Sequence, residues 1–237
     1  MNAFAALLIA LCAPLAAPGD PGAAPAATPP PAATPPPAAT PSPAEPDVRA
    51  VIDGIQKFYA TATDLKASFT QTYTYKVYGR SQVSKGTVFF KKPRMMRWDY
   101  RAPAPKVFVA DGRTLWVYEP DENQAFKRDL TSSQLPVALT FMSGEGRLED
   151  EFDAKLLPSK DDRWRVELIP KRDEGDYKSL VLVVDRDTSE VRASTVVDPV
   201  GNTNEVVFSG VQTNTGLPEN GFRFTPPAGV RVIAEGK

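Results

Sequence analysis

The chain has 237 residues, 42% hydrophobic and 24% charged, with 28 basic and 29 acidic side chains and a formal net charge of −1. It has no histidine, and its single cysteine is Cys12. Near-neutrality argues against a nucleic-acid binder or a polybasic membrane clamp, and the inventory excludes a disulfide framework, zinc-finger sites and histidine-dependent triads.

Ala3 to Leu15 form an apolar core followed by small residues, which predicts a signal peptide over 1–19. The core is too short for a transmembrane helix, which needs about 20 apolar residues. Cys12 raises the option of acylation, but Leu11 is bulky where a small residue normally precedes a lipidated cysteine. Pro18 to Pro46 holds twelve prolines in 29 residues, so 20–46 reads as a disordered, extended spacer. The folded body is then 47–237, a length that buries most of its apolar surface in one core.

Asp47 to Ala62 places Val48, Val51, Ile52, Ile55, Phe58 and Tyr59 at helical spacing behind an Asp47 N-cap, which predicts an amphipathic helix despite Gly54. From Leu65 the period becomes two: Leu65, Ala67, Phe69, Gln71, Tyr73, Tyr75 and Val77 face one way, with lysines, serine and threonines between them. A turn at Gly79-Arg80 leads to a second strand ending at Pro93. In the third strand Met96, Trp98 and Tyr100 face one way, Arg97 and Asp99 the other. Asp111-Gly112 between apolar runs signals a hairpin, and Pro120 to Asn123 turns into Gln124 to Leu130.

Ser133 to Met142, with Leu135, Leu139, Phe141 and Met142, reads as a second short helix. Further strands are expected at Glu151–Leu157, Trp164–Ile169, Leu180–Val184, Val191–Val197 and Glu205–Val211, with a last one near Phe222–Thr225. Turn clusters at Asp173–Asp176, Asp198–Asn202 and Pro218–Gly221 separate them. The sum is a mostly β fold of about eleven strands in an up-and-down antiparallel sheet, curled into an incomplete barrel with short helices across one side.

Gly86 to Glu119 packs seven aromatics into 34 residues. Large aromatics and adaptable methionines suit either a solid core or the wall of an apolar cavity, and the residues alone leave both open. Catalysis without histidine or cysteine would need paired carboxylates. The cluster Glu149, Asp150, Glu151 and Asp153 reads as a solvated face, so no catalytic residue, metal site or cofactor is expected.

Four phrases, in order, resemble the LolA family of periplasmic carriers of outer-membrane lipoproteins. They are Lys66-Ala67-Ser68-Phe69-Thr70-Gln71, Lys91-Lys92-Pro93 ahead of Trp98, Val109 through Tyr118, and Phe224 through Val230. The resemblance spans 47–237 and implies an apolar cavity for acyl chains, lined by Phe69, Val88, Phe90, Met96, Trp98, Tyr100, Trp116, Tyr118, Leu139 and Phe141. It also implies a non-enzymatic monomer in the periplasm, without a nucleic-acid partner. Its partners would be acylated lipoproteins, an ATP-driven inner-membrane transporter and, left open, an outer-membrane receptor. The chain departs from the family at Lys92, where an arginine usually latches the lid, so Lys92 is the expected latch. Two alternatives accompany the carrier reading. One is a lipid-sensing regulatory domain of the same fold; the other is a lipid-anchored receptor, should Cys12 be acylated.

Overall fold

The computed structural model describes residues 47–130, 146–172 and 177–234. Helix α1 (Val48–Thr61) forms where the helical spacing predicts it. The Asp47 carboxylate accepts from the Arg49 N–H at 3.0 Å, capping its first turn. Val51, Ile52, Ile55 and Tyr59 are buried along one face. A Cβ at Gly54 would fall 2.5 Å from Ser189 Oγ. The residue that weakens the helix on propensity grounds therefore lets it lie close against the turn at Ser189.

The strands are β1 (Asp64–Tyr75), β2 (Arg80–Lys91), β3 (Met95–Ala102), β4 (Lys106–Asp111), β5 (Thr114–Glu119) and β6 (Gln124–Asp129). A one-turn helix α2 (Leu148–Glu151) precedes β7 (Phe152–Leu157), β8 (Arg163–Pro170), β9 (Ser179–Asp185), β10 (Val191–Val197) and β11 (Thr203–Thr213). A 3₁₀ turn (Glu219–Phe222) and β12 (Arg231–Ala234) end the described chain. All twelve strands share one sheet, ordered β12-β6-β5-β4-β3-β2-β1-β11-β10-β9-β8-β7, with β12 and β7 as its edges. The predicted mostly β, incomplete barrel with short helices is what forms.

Three details differ from expectation. The sheet is up-and-down only within each half: β1–β6 and β7–β11 are separate meanders, joined where β1 pairs with β11. Phe222–Thr225 is no strand. Phe222 ends the 3₁₀ turn with its ring buried, and a segment that packs its rings onto a sheet face has no ladder to join. The last strand is instead β12, parallel to β6 through Arg231↔Gln124 to Ala234↔Lys127. The predicted helix at 133–142, the leader, the spacer and the turn at 173–176 lie outside the described residues.

Turn chemistry fixes the hairpins. Gly112 has φ +91°, and Asp111 Oδ1 accepts from the N–H groups of Arg113 and Thr114. At the β9–β10 turn the Asp185 carboxylate accepts from the Thr188 N–H and hydroxyl, the Asp187 N–H and Arg192. The Thr188 backbone and side-chain bonds lead in holding its pKa at about 2. Because this lies below the unfolded value of about 3.9, the unfolded chain takes up the proton first as pH falls.

Gly86 marks a close approach. A Cβ there would fall 2.2 Å from the Asp99 carbonyl oxygen and 2.7 Å from the Phe69 ring. Gly86→Ala therefore forces β2 and β3 apart and should cost about 1–3 kcal/mol, lowering Tm by about 2–4 °C per kcal/mol in a thermal melt. Separately, the stability advantage of the native chain over Asp185→Asn should be constant at neutral pH. It should shrink as pH falls from about 3.9 through 2, measured by denaturant titration across pH.

Candidate functional site

On β1 the alternation places Leu65, Ala67, Phe69, Gln71 and Tyr73 on the buried face. The register carries that face across the sheet. Phe69 lies opposite Gly86 and Phe208, Val88 opposite Ala67 and Trp98, and Phe90 opposite Leu65 and Met96. Phe69 meets Trp98 and Tyr100 edge-on, with both ring centroids at 4.8 Å. Trp98 also reaches Phe90 at 6.2 Å and Phe208 at 6.4 Å. Phe69, Val88, Phe90, Met96, Trp98 and Tyr100 thus form one continuous apolar wall, each at most 6% exposed.

Trp116 and Tyr118 do not belong to it. Phe108 shares the Trp98 face and pairs with Val117, so Leu115 and Val117 point inward on β5 and Trp116 and Tyr118 point to the opposite side. There Phe224 packs on both, at 5.6 and 5.3 Å, and Arg97 donates to the Gly221 carbonyl at 3.1 Å while bridging to Asp99. Period two could not settle this strand, because both of its faces are apolar and both are covered. The usable signal was Phe222-x-Phe224 near the C-terminus, an alternation that needed a sheet face to cover. Leu139 and Phe141 lie outside the described residues.

Helix α1 lies against the inner face with Val51, Ile52, Ile55 and Tyr59 buried. Near its N-terminus Val48 and Ile52 approach Leu148, Phe152 and Ala154 around an open cleft of about 540 Å³, which none of the predicted cavity residues among the described residues lines. At its C-terminus Tyr59 lies beside Leu65, Phe90 and Met95. The Lys92 ammonium sits here, donating to the carbonyls of Tyr59 at 2.8 Å and Ala60 at 2.9 Å. These belong to the last turn of α1, where carbonyls lack helical partners and the helix dipole favours a cation. Burial beneath the helix end lowers the Lys92 pKa. The Lys92 N–H donates to the Thr63 carbonyl at 2.9 Å, fixing the strand end.

Two features of the site were not read from sequence. Asp64, at the start of β1, is buried and receives four hydrogen bonds, from the Thr215 N–H and hydroxyl and from the N–H groups of Gly216 and Leu217. Burial alone would raise its pKa; these donors bring it below the ordinary value. They tie the C-terminal segment to the sheet ahead of its path over Trp116. The other is a polar chain on the inner face: Tyr100 OH donates to Gln71 Oε1, and Gln71 Nε2 donates to Asn204 Oδ1, each at 2.8 Å. Gln71 is only 1% exposed. Its place in the alternation marked it as inward, but its partner is 133 residues away.

Comparison with known proteins agrees with this architecture. The family model described as "Outer membrane lipoprotein carrier protein LolA" matches residues 60–225. An outer-membrane lipoprotein carrier protein from Methylibium petroleiphilum is 31% identical over 184 residues, covering 78% of this chain and 89% of its own. One from Cupriavidus pinatubonensis is 32% identical over 194 residues, covering 78% and 88%. Among solved structures, an uncharacterised conserved protein from Thermus thermophilus aligns at TM-score 0.51 and 11% identity, covering 79% of this chain and 98% of its own. That likeness speaks to the fold alone.

Gln71→Leu removes two buried hydrogen bonds that contribute about 0.5–1.5 kcal/mol each, so it should lose about 1–3 kcal/mol in denaturant unfolding, although leucine is the more apolar side chain.

Proposed function

The chain belongs to the LolA family of outer-membrane lipoprotein carrier proteins, and we propose that it carries acylated lipoproteins through the periplasm from the inner to the outer membrane. The family is one of carriers rather than enzymes. In this reading residues 1–19 direct export, 20–46 are a spacer, and the acyl chains lodge between α1 and the wall formed by Phe69, Val88, Phe90, Met96, Trp98 and Tyr100.

The observation that carries the reading is the Lys92 contact. The N-terminal half of α1 is held by burial: Val51, Ile52 and Ile55 are at most 6% exposed, each contributing about 1.5–3 kcal/mol. The C-terminal turn, which lies beside Phe90 at one edge of the aromatic wall, is held by Tyr59, buried and hydrogen-bonded to the Val191 backbone, and by two hydrogen bonds to one ammonium. Charge-assisted bonds of this kind contribute about 1.5–3 kcal/mol each when well shielded, and less here because the lysine is partly exposed. In this reading the helix has one end held by aliphatic burial and another held in part by two local hydrogen bonds, and that second end is the one that releases, at the Phe90 edge of the wall.

Energetics require partners. A triacylated anchor buries about 45 methylenes, on the order of 35 kcal/mol at ~0.8 kcal/mol each, whereas non-covalent affinities saturate near about 18–21 kcal/mol. A soluble cavity cannot extract such a lipid from a bilayer unaided. An energy-driven inner-membrane transporter must load it, and the site must bind weakly enough to pass the cargo to an acceptor at the outer membrane.

Protein purified from the periplasm without detergent should carry a bound lipoprotein and a start cleaved near residue 19, both read by mass spectrometry. Lys92→Leu should weaken the closed state, raising the apparent affinity for acylated peptide about tenfold per 1.4 kcal/mol lost and slowing release, with Lys92→Arg near native. Uptake and release unchanged in Lys92→Leu would remove the latch.

A further inference from the structure

The three most exposed large apolar side chains among the described residues, Val77 at 80%, Tyr78 at 75% and Val200 at 66%, gather at one end of the sheet. Val77 and Tyr78 form the tip of the β1–β2 hairpin. There β2 runs on from Ser84 to Arg80 beyond Lys85, the last residue paired with β3. Val200 sits in the neighbouring β10–β11 turn. The Lys76 N–H donates to Asn202 Oδ1 at 3.0 Å, and a Cβ at Gly201 would fall 2.8 Å from Lys76 Cδ, so the two turns are packed side by side.

Two exposed cations, Lys76 and Arg80, bracket the apolar pair. The acid in the second turn is internal: Asp198 is 7% exposed, and its carboxylate accepts from the N–H groups of Val200 and Asn202 and from the Asn202 amide. The tip therefore presents an aromatic, two aliphatics and two positive charges without an opposing exposed carboxylate in either turn. Three apolar side chains fall far short of the roughly 20–30 residues a side of a stable protein interface. A membrane surface needs no matching footprint. Tyrosine settles at the headgroup level, and lysine and arginine reach lipid phosphates from beside it.

We propose that this end of the sheet is a lipid-contact surface, with Val77, Tyr78 and Val200 entering the headgroup region of an anionic membrane and Lys76 and Arg80 on its phosphates. The contact lies at the opposite end of β2 from Lys92 and does not depend on the carrier reading.

Flotation of the full chain with vesicles tests it, using phosphatidylcholine alone and phosphatidylcholine with phosphatidylglycerol. The native protein should float with the phosphatidylglycerol vesicles. Lys76→Gln and Arg80→Gln should each reduce partitioning about fivefold, and the pair Val77→Ser with Tyr78→Ser about tenfold. Val232→Ser, at an exposed site on the far edge strand, should leave it unchanged. A Tyr78→Trp variant should show a blue-shifted difference fluorescence on vesicle addition. Failure of the native protein to float, equal flotation with both vesicle types, or undiminished flotation of the double serine variant overturns the proposal. Loss of cargo handover in the serine variant without any vesicle binding also overturns it, and assigns the tip to a protein partner.

Discussion

The interior of this molecule depends on how a helix of 14 residues is held against a sheet of twelve strands. A curled sheet with one apolar face must cover that face, and a short helix cannot cover it evenly. The hold is uneven in a definite way. Aliphatic burial fixes α1 over the β7–β10 half, close enough at Gly54 that Ser189 occupies the space of a side chain. At the ends of β1–β3 beside Phe90, the helix ends and the carbonyls of Tyr59 and Ala60 are met by Lys92. Burial is non-directional and stronger in sum. The two hydrogen bonds are weaker but local, and in the proposed carrier they are what would let that end of the helix leave first.

The sheet itself is made for a covered interior on both sides. The inner face needs α1; the outer face of β3–β5 needs the C-terminal segment, which Asp64 gathers through four donors before Phe222 and Phe224 reach the strands. Residues 47–237 contain no cysteine to staple these parts, so a buried carboxylate with every donor supplied by one chain segment serves as the tie. The polar chain through Tyr100, Gln71 and Asn204 plays a comparable part inside. It joins β3 to β1 and β1 to β11, the pairing that unites the two meanders. Such a chain favours this register over one shifted by a residue, because a slip would strand its amides among rings.

Much of this was legible in the sequence, for reasons that can be named. Helix α1 showed itself by its spacing and cap, the hairpins by Asp-Gly and Asn-containing turns, and the inward set of β1 and β3 by clean alternation between apolar and polar residues. Alternation failed at β5, where Leu115 and Val117 compete with Trp116 and Tyr118 and neither set is polar. It also failed at the C-terminus, where Phe222 and Phe224 cover a face without joining the ladder and where β12 is too short to carry a pattern. The joining of the meanders through β1 and β11 rests on contacts far apart in the chain, which no local period encodes. Lys92 was reached through family resemblance; its carbonyl partners follow from where the helix ends.

The lysine at position 92, where the family resemblance implies an arginine, can be weighed from the geometry. A guanidinium spreads its donors over a planar fork, which suits acceptors set side by side. Here the acceptors are carbonyls of successive residues, Tyr59 and Ala60, both within 2.9 Å of one nitrogen. Carbonyls converging on a point suit an ammonium, whose three donors share one atom. Lysine also has a cost that arginine largely avoids: its compact charge is strongly hydrated, and burial under the helix lowers its pKa. Part of what the hydrogen bonds contribute is offset by that lost hydration, so the lysine holds the closed helix with less net energy than its short contacts suggest. In the proposed carrier, which would open to load and empty to deliver, a weak local hold at the C-terminal end of α1 would serve better than a strong one.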